Sequence, residues 1–476
     1  MTSLLRSGYI MHSKSPLIPI YLLLFIVTIF SCSEPVSKEA VSSKKFLPQK
    51  HNILLITVDT LRADHLSCYN KKLEIKTENT DSLADTGILF KNANCQSSWT
   101  LPSIVSLFTS LYPSVHHAGE PQPTTKQLSK VPQNLKVLPL ILKKYSYDTA
   151  AFVTNVFLSS AFWFGNHFET FINYSNQIDA SEKITKNAIQ FLKQKRKNPF
   201  FLWLHYLDPH EYHTYLKIEI DQTYNGRFKN EKIDFDKLRI GAYRLDARER
   251  KYIYSRYLGN IKYCDEQIGS VLNALRELNL YETTLIIFTS DHGEEFWEHD
   301  RLDHGHSAYE EALKVPLIFS LPKVLPQRIK VPQLVELIDV VPTVLDLCGI
   351  EPDDTFQGES LTPYFLNPSL TQQRFAFSEN MLYTEDKKSI QNEKYKLIYF
   401  TVSNKYEFYD LEKDPQEQRN IFFQDDTMVQ QLRKKLLGWN EENKEVSKRV
   451  LKGEQVMPAI INQETKEALK SLGYIM

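Results

Sequence analysis

Residues 52–60 read NILLITVDT. The first seven are apolar or β-branched apart from Asn52, with no alternation of polar positions. Such a run fits a strand buried on both faces, as strands of parallel sheets are. Four further runs share this character: FFLWLHY at 200–206, TLIIFTS at 284–290, VPLIFSL at 315–321 and TAAFVTN at 149–155. Amphipathic helical stretches lie between them, among them 180–195 and 249–278. Strands alternating with helices predict an α/β fold, a doubly wound and mostly parallel sheet flanked by helices. In such sheets ligands bind at the carboxyl ends of the strands. Three of the runs lead into Asp59, into Asp208-Pro209-His210 and into Asp291-His292. From about 374 the pattern changes to short runs (RFAFSEN, YKLIYF, KYEFYDL) and then to a helical region from 426. The expectation is a catalytic α/β domain over 51–372 and a C-terminal subdomain over 373–476, a smaller antiparallel sheet plus helix.

Composition narrows the function classes. The chain has 476 residues, 42% hydrophobic and 12% aromatic, with formal net charge -1. This suits a well-packed enzyme and gives no footprint for nucleic acid, which would need a basic face. The first residues look like an export segment. Arg6 and Lys14 precede an apolar run at 17–30, followed by Ser31 and Cys32. Residues 1–31 read as a signal or anchor, Cys32 as the lipidated first residue of a mature lipoprotein, and 32–50 as a flexible tether. Phe30 is bulky for a lipoprotein signal, so an uncleaved anchor is the alternative. Both place the chain outside the cytoplasm, in the cell envelope and at a membrane. Cys68, Cys95, Cys264 and Cys348 are too dispersed for a thiol metal site, and spacing assigns no disulfide among them.

Asp59 and the pair Asp291-His292 follow two of the predicted strands. Carboxylates and imidazole suit a divalent cation, and Gly293 would let the chain turn tightly behind them; a solvated acidic turn is the alternative. Thr100, two residues before Pro102, stands where a helix would start, because proline favours the first turn. The residue can cap the helix. It can also be a nucleophile whose alkoxide the positive helix end and a metal ion stabilise. Arg62 could pair with a substrate anion or with Asp64.

Several motifs occur in order: NILLITVDTLRADHLSCY, WTLPSIVSLFTSLYP, LDPHEY, TSDHGEEFWEHDRLDHGHSAYEEALKVPLIF, DVVPTVLDLCGI and YEFYDLEKDPQEQRNI. Together they resemble the sulfatase family of the alkaline-phosphatase-like superfamily, from about residue 52 to the C-terminus. The resemblance implies metal-assisted ester hydrolysis through a covalent intermediate. Formylglycine-dependent members carry Cys or Ser followed by x-Pro-x-Arg. Here the matching positions are Thr100, Leu101, Pro102, Ser103 and Ile104. Threonine cannot be oxidised to an aldehyde, because its carbinol carbon bears a methyl group. Branches using an unmodified Thr or Ser act on phosphate esters, and Asp59, Thr100, Asp291 and His292 match their metal-site pattern. His292 in place of an amide favours Zn or Mn over Ca or Mg. Two-metal branches imply a second site, for which Asp208 and His210, with His304 or His306, have the right order. In the other reading His210 and His304 act on the leaving group or the oxyanion. His116 and Asn155 match positions that line the family's pocket, and His306 is a further candidate for substrate binding.

The expected function is therefore a metal-dependent hydrolase using one or two ions. It cleaves a phosphate ester, foremost a diester, of a sugar or lipid through Thr100. The alternative is a sulfuric ester hydrolase, against which stands the slow hydrolysis of a sulfo-threonine. A head-group transferase and a non-catalytic binding lipoprotein rank lower.

Overall fold

The structure, a computed structural model, describes residues 49–122, 127–162, 164–175, 177–226, 228–229, 233–234, 237–238 and 244–471. Cys32 and the expected signal segment lie outside them, as does the tether apart from residues 49 and 50. No helix among the described residues is long and apolar enough to cross a membrane.

The opening run forms β1 (Asn52–Val58). It lies inside an eight-stranded sheet with β2 (Gly87–Asn94), β3 (Asp148–Val153), β4 (Thr170–Asn173), β5 (Phe200–Tyr206), β6 (Thr284–Ser290), β9 (Lys314–Ser320) and β10 (Ile329–Glu336). Across the sheet the order is β10-β2-β9-β6-β1-β5-β3-β4. Every pairing is parallel except the two made by β9. A small ribbon of β7 (Glu295–Phe296) and β8 (Leu302–Asp303) follows β6. Ile53 and Leu55 enter the apolar core on one face, while Leu54, Ile56 and Val58 enter the core on the other. Burial of both faces is why β1 shows no polar alternation.

Register positions the chemistry. Val58 pairs with Tyr206 on one side and with Ser290 on the other. Asp59 and Asp291 therefore leave the sheet at the same level, and Thr57 lies beside His205. The apolar-run reading did not single out β2, β4 and β10. In β2 the polar pair Lys91 and Asn92 falls at a register shift between Phe90 and Ala93. In β10 Pro332 sits at a shift between Val331 and Leu334, on an edge strand where a missing N–H is tolerated.

Helices α1 (Glu78–Asp85), α2 (Thr100–Thr109), α3 (Ala180–Leu192) and α4 (Ala247–Glu277) flank the sheet. The C-terminal part forms β11 (Ala376–Ser378), β12 (Lys387–Gln391), β13 (Tyr395–Phe400) and β14 (Lys405–Asp410), an antiparallel meander. Helix α5 (Thr427–Leu451) follows, with the Asp426 side chain accepting from the N–H groups of Met428 and Val429 as its cap. Cys68, Cys95, Cys264 and Cys348 are all buried free thiols.

The two sheets are tied by buried charge. Lys396 of β13 is fully buried, 3.2 Å from Glu310 and 3.0 Å from Glu417. His299 Nδ1 lies 2.6 Å from Glu311 Oε1, and its Nε2 donates to the Glu417 carbonyl at 2.9 Å. Burial opposes charge on His299, but the Glu311 hydrogen bond and charge outweigh it and raise its pKa to about 9.

Two outcomes follow for this joint. Lys396→Met leaves two carboxylates buried without their cation, and should cost about 3–5 kcal/mol in denaturant unfolding. A loss below about 1 kcal/mol would show that the cluster does not hold the lobes. His299 has a folded pKa above its unfolded value, so its stabilisation is complete below about pH 6.5 and disappears as pH rises toward 9. Unfolding free energy should fall across that window, and His299→Gln should flatten the fall by about 1–2 kcal/mol.

Candidate active site

The chain turns abruptly at the end of β1. Asp59 N–H continues the ladder by donating to the Tyr206 carbonyl at 2.8 Å. Thr60 then adopts φ +57°, an uncommon value for a β-branched residue. This turn is held from α4 by the Tyr257 hydroxyl on the Thr60 carbonyl (2.7 Å), and from Asp291 Oδ1, which accepts from Thr60 N–H at 3.3 Å. The β6 end is fixed in turn. His292 N–H donates to Asp291 Oδ1 at 2.9 Å, and Ser103 of α2 donates to the Asp291 carbonyl at 2.5 Å. Gly293 serves a close approach rather than a special turn: a Cβ there would lie 2.0 Å from the Glu311 carbonyl oxygen.

Helix α2 brings Thr100 to these strand ends. Trp99 is the residue preceding the helix and offers no side-chain cap; Thr100 is the first helical residue. The hydroxyl is not spent on capping. Thr100 Oγ1 lies 3.4 Å from Asp59 Oδ2 and 3.4 Å from His292 Nε2, and accepts from Asn155 Nδ2 at 3.2 Å. Asn155 Nδ2 also donates to Asp59 Oδ2 at 2.7 Å. Asp59, Thr100, Asp291, His292 and Asn155 are all completely buried.

The donor set fits a divalent cation. His292 Nδ1 lies 2.9 Å from the Gly293 carbonyl, which can only accept, so Nδ1 carries the proton and Nε2 presents a lone pair. That lone pair faces Asp291 Oδ2 at 3.4 Å and Asp59 Oδ1 at 3.7 Å. Both carboxylate oxygens are buried without a hydrogen-bond partner. Three converging acceptors and a hydroxyl want a cation among them. The titration behaviour agrees. Burial and the neighbouring Asp59 charge hold the Asp291 pKa well above the usual carboxylate range. Burial pushes Asp59 upward too, but the His205 hydrogen bond and the charges of His210, His205 and His292 outweigh it and lower its pKa. Burial and the His304 charge push His292 down to about 3, the neutral form a metal ligand needs.

A second buried cluster adjoins the first. His304 Nδ1 lies 2.9 Å from Asp303 and 3.1 Å from Glu294. Its ring centroid is 4.6 Å from that of His292 and 5.0 Å from that of His210. Burial disfavours charge on His304, yet Asp303 and Glu294 override it and raise its pKa well above 6.5. Burial raises Glu294 to about 7.

The sulfatase family model matches residues 51–350. The chain belongs to the sulfatase family. The model for the C-terminal part of N-sulphoglucosamine sulphohydrolase also matches, over residues 297–442. The N-acetylglucosamine-6-O-sulfatase of Bacteroides thetaiotaomicron is 25% identical, over 88% of this chain and 90% of the relative. A solved structure of a protein with its substrate D-glucosamine-2-N,6-O-disulfate superposes with TM-score 0.65 at 22% identity, covering 84% of this chain and 99% of that one. The phosphonate monoester hydrolase of Agrobacterium radiobacter superposes with TM-score 0.63 at 20% identity, covering 84% and 96%. The chain is thus an ester hydrolase of the sulfatase superfamily, with the family's mostly parallel sheet and small C-terminal sheet.

Within this sulfatase fold, the expected residues divide. Asp59, Thr100, Asn155, Asp291 and His292 converge, with His304 and His210 beside them. Asp208 does not join: its carboxylate accepts from Ser181 at 2.5 Å, on the α3 side. His306 lies 3.9 Å from Asp303 and against Tyr383, with ring centroids 4.9 Å apart. Among the described residues, the carboxylate and imidazole atoms close enough to share one ion are those of Asp59, His205 and Asp291, and those of Glu294, Asp303 and His304; Asp208, His210, His306 and His292 are in neither group. Arg62 is held by Asp64 (2.9 and 3.0 Å), Glu298 and the Glu294 carbonyl, so its donors are occupied by the protein. His116 is locked behind α2, between Ser106 Oγ and Ala118 N–H, each at 3.0 Å. His205, Glu294 and Asp303 join the site without being among the residues that the sequence pattern marks. Glu294 was signalled by its place in SDHGEE, whereas His205 lies within a strand whose pattern reads as core. A groove of about 500 Å³ lined by Arg62, Lys91, Lys314, Lys330 and Glu393 includes none of the converging residues.

Two buried carboxylates without a cation are mutually destabilising. Asp291→Asn should therefore stabilise the metal-free protein by about 1–2 kcal/mol. It should also abolish any rise in Tm on adding Zn(II) or Mn(II). A variant that is less stable and still gains Tm from metal would contradict this arrangement.

Proposed function

We propose that this sulfatase-family hydrolase cleaves anionic esters with Thr100 as nucleophile, on a divalent metal held by Asp59, Thr100, Asp291 and His292. The observation that carries the reading is the convergence of His292 Nε2 and Asp59 on the buried Thr100 hydroxyl, each at 3.4 Å. A bound divalent cation would acidify that hydroxyl and draw charge from the ester's non-bridging oxygens. The start of α2 adds a favourable field for the alkoxide. Asn155 donates to Thr100 Oγ1 and holds it in line. His304, kept protonated by Asp303 and Glu294, supplies the proton to the departing ester oxygen, with His210 beside it. Water then releases the acid group from Thr100. Among metals, Zn or Mn is favoured because His292 supplies a nitrogen donor.

Sulfate esters of saccharides are the first substrate class, supported by the sulfatase names of the relatives and the saccharide sulfate bound in a structural neighbour. Phosphate or phosphonate esters form the second class. Thr100 itself favours it, since an unmodified threonine cannot form the aldehyde hydrate that releases sulfate by carbon–oxygen cleavage. The export segment at 1–31, with Cys32 as the lipidated residue, would place the enzyme in the envelope and tether it to a membrane.

The test is direct. Purified protein is loaded with Zn(II) or Mn(II) and assayed on aryl sulfate, aryl phosphate mono- and diester, and aryl phosphonate. Thr100→Ala should lose at least about 1,000-fold in kcat on whichever ester is turned over. Retained turnover in Thr100→Ala would remove the nucleophile assignment. Turnover of phosphorus esters alone would remove the sulfate reading.

A further inference from the structure

One buried histidine beside Asp59 has no role in the chemistry above. We propose that His205 is a positioning residue that clamps one oxygen of Asp59 so that the other faces the cation; this rests on the metal reading given above.

The contacts order themselves. Trp203 Nε1 can only donate, and Thr57 Oγ1 accepts from it at 2.9 Å. Thr57 Oγ1 lies 2.7 Å from His205 Nδ1, against 3.3 Å from the Leu204 carbonyl. His205 Nε2 lies 3.1 Å from Asp59 Oδ2. An ionised carboxylate cannot donate, so Nε2 carries the hydrogen. Nδ1 shares the 2.7 Å hydrogen bond with the Thr57 hydroxyl. Trp203, Thr57, His205 and Asp59 thus form one continuous run of hydrogen bonds. All four residues are fully buried, and Thr57 and His205 are paired across neighbouring strands, so no water competes and the register holds the ring.

The consequence lies on the carboxylate. Oδ2 receives His205 and Asn155 and faces the Thr100 hydroxyl, whereas Oδ1 has no hydrogen-bond partner. Oδ1 is the oxygen that faces His292 Nε2. The competing role for His205 is direct ligation, since Asp59, His205 and Asp291 offer atoms all within 4.8 Å of one another. Ligation would strip the hydrogen from Nε2 and set its lone pair against an oxygen already engaged by Asn155 and Thr100. The geometry points to the clamp. Second partners of this kind hold ligand orientation and tune metal affinity.

The experiment measures Zn(II) affinity of the full-length protein by chelator competition, without reference to turnover. His205→Ala should weaken binding about 10–100-fold, and Thr57→Val by a smaller factor. His205→Gln places an amide N–H near the Nε2 position and should stay within about threefold of wild type. X-ray absorption at the metal should count the same nitrogen donors in wild type and His205→Gln. Equal affinity in folded His205→Ala would overturn the clamp while leaving the metal site intact. Loss of one nitrogen donor in His205→Gln would overturn it in favour of ligation. A wild-type protein that binds no metal would overturn the metal reading itself. Should His205→Ala not fold, Thr57→Val and His205→Gln still decide between these outcomes.

Discussion

Two carboxylates leave neighbouring parallel strands at the same level, inside protein and away from water. That placement follows from the register of β1 against β6, in which Val58 lies beside Ser290. Neither Asp59 Oδ1 nor Asp291 Oδ2 finds a hydrogen-bond donor. Burial of unpaired charge is costly, and two like charges make it worse. Much of the surrounding structure answers this one constraint. The Thr60 turn, the Ser103 bond to Asp291, the His292 tautomer and the Asn155 amide all hold donors or lone pairs around one point. An arrangement that is unfavourable when empty is well suited to a cation, because ion binding then relieves energy stored in the fold.

The sequence made the scaffold legible where burial was symmetric. β1, β5 and β6 are apolar on both faces, so their runs and their exits to Asp59 and Asp291 could be read without tertiary information. β2 and β10 could not, because each carries polar residues or proline at a register shift that only the neighbouring strand explains. The same boundary separates the site residues. Asp59, Asp291 and His292 follow apolar strands and stood out as polar exits. His205 sits inside a strand, where a lone histidine looks like a core residue until its neighbour across the pair is known to be Thr57. Asp208 shows the converse error. It lies two residues beyond an apolar strand, where Asp59 directly follows one, but its carboxylate turns to the α3 side and meets Ser181. Position after a strand gives the level of a side chain, and not the face to which it points.

The arrangement also separates two kinds of histidine by their partners. His292 gives its Nδ1 proton to a neutral carbonyl and is held neutral, at a pKa of about 3, by burial and a neighbouring charge. His304 meets two carboxylates and is held charged in an equally buried place. Their ring centroids are 4.6 Å apart. Environment alone sets the two rings apart, the division that the proposed ester cleavage would use.

The nucleophile position carries the last consequence. In the formylglycine pattern an arginine follows two positions after the proline, and here that position is Ile104, fully buried on α2. An aldehyde hydrate can expel its sulfate by breaking a carbon–oxygen bond, whereas a threonine ester must be attacked again at sulfur or phosphorus. The second attack meets a group still carrying negative charge, so it depends on cations that remain in place throughout. In the proposed reading those cations would be a metal at Asp59, Asp291 and His292 and a proton on His304, each beside buried carboxylates. The carboxylate-rich interior is therefore the physical counterpart of Thr100.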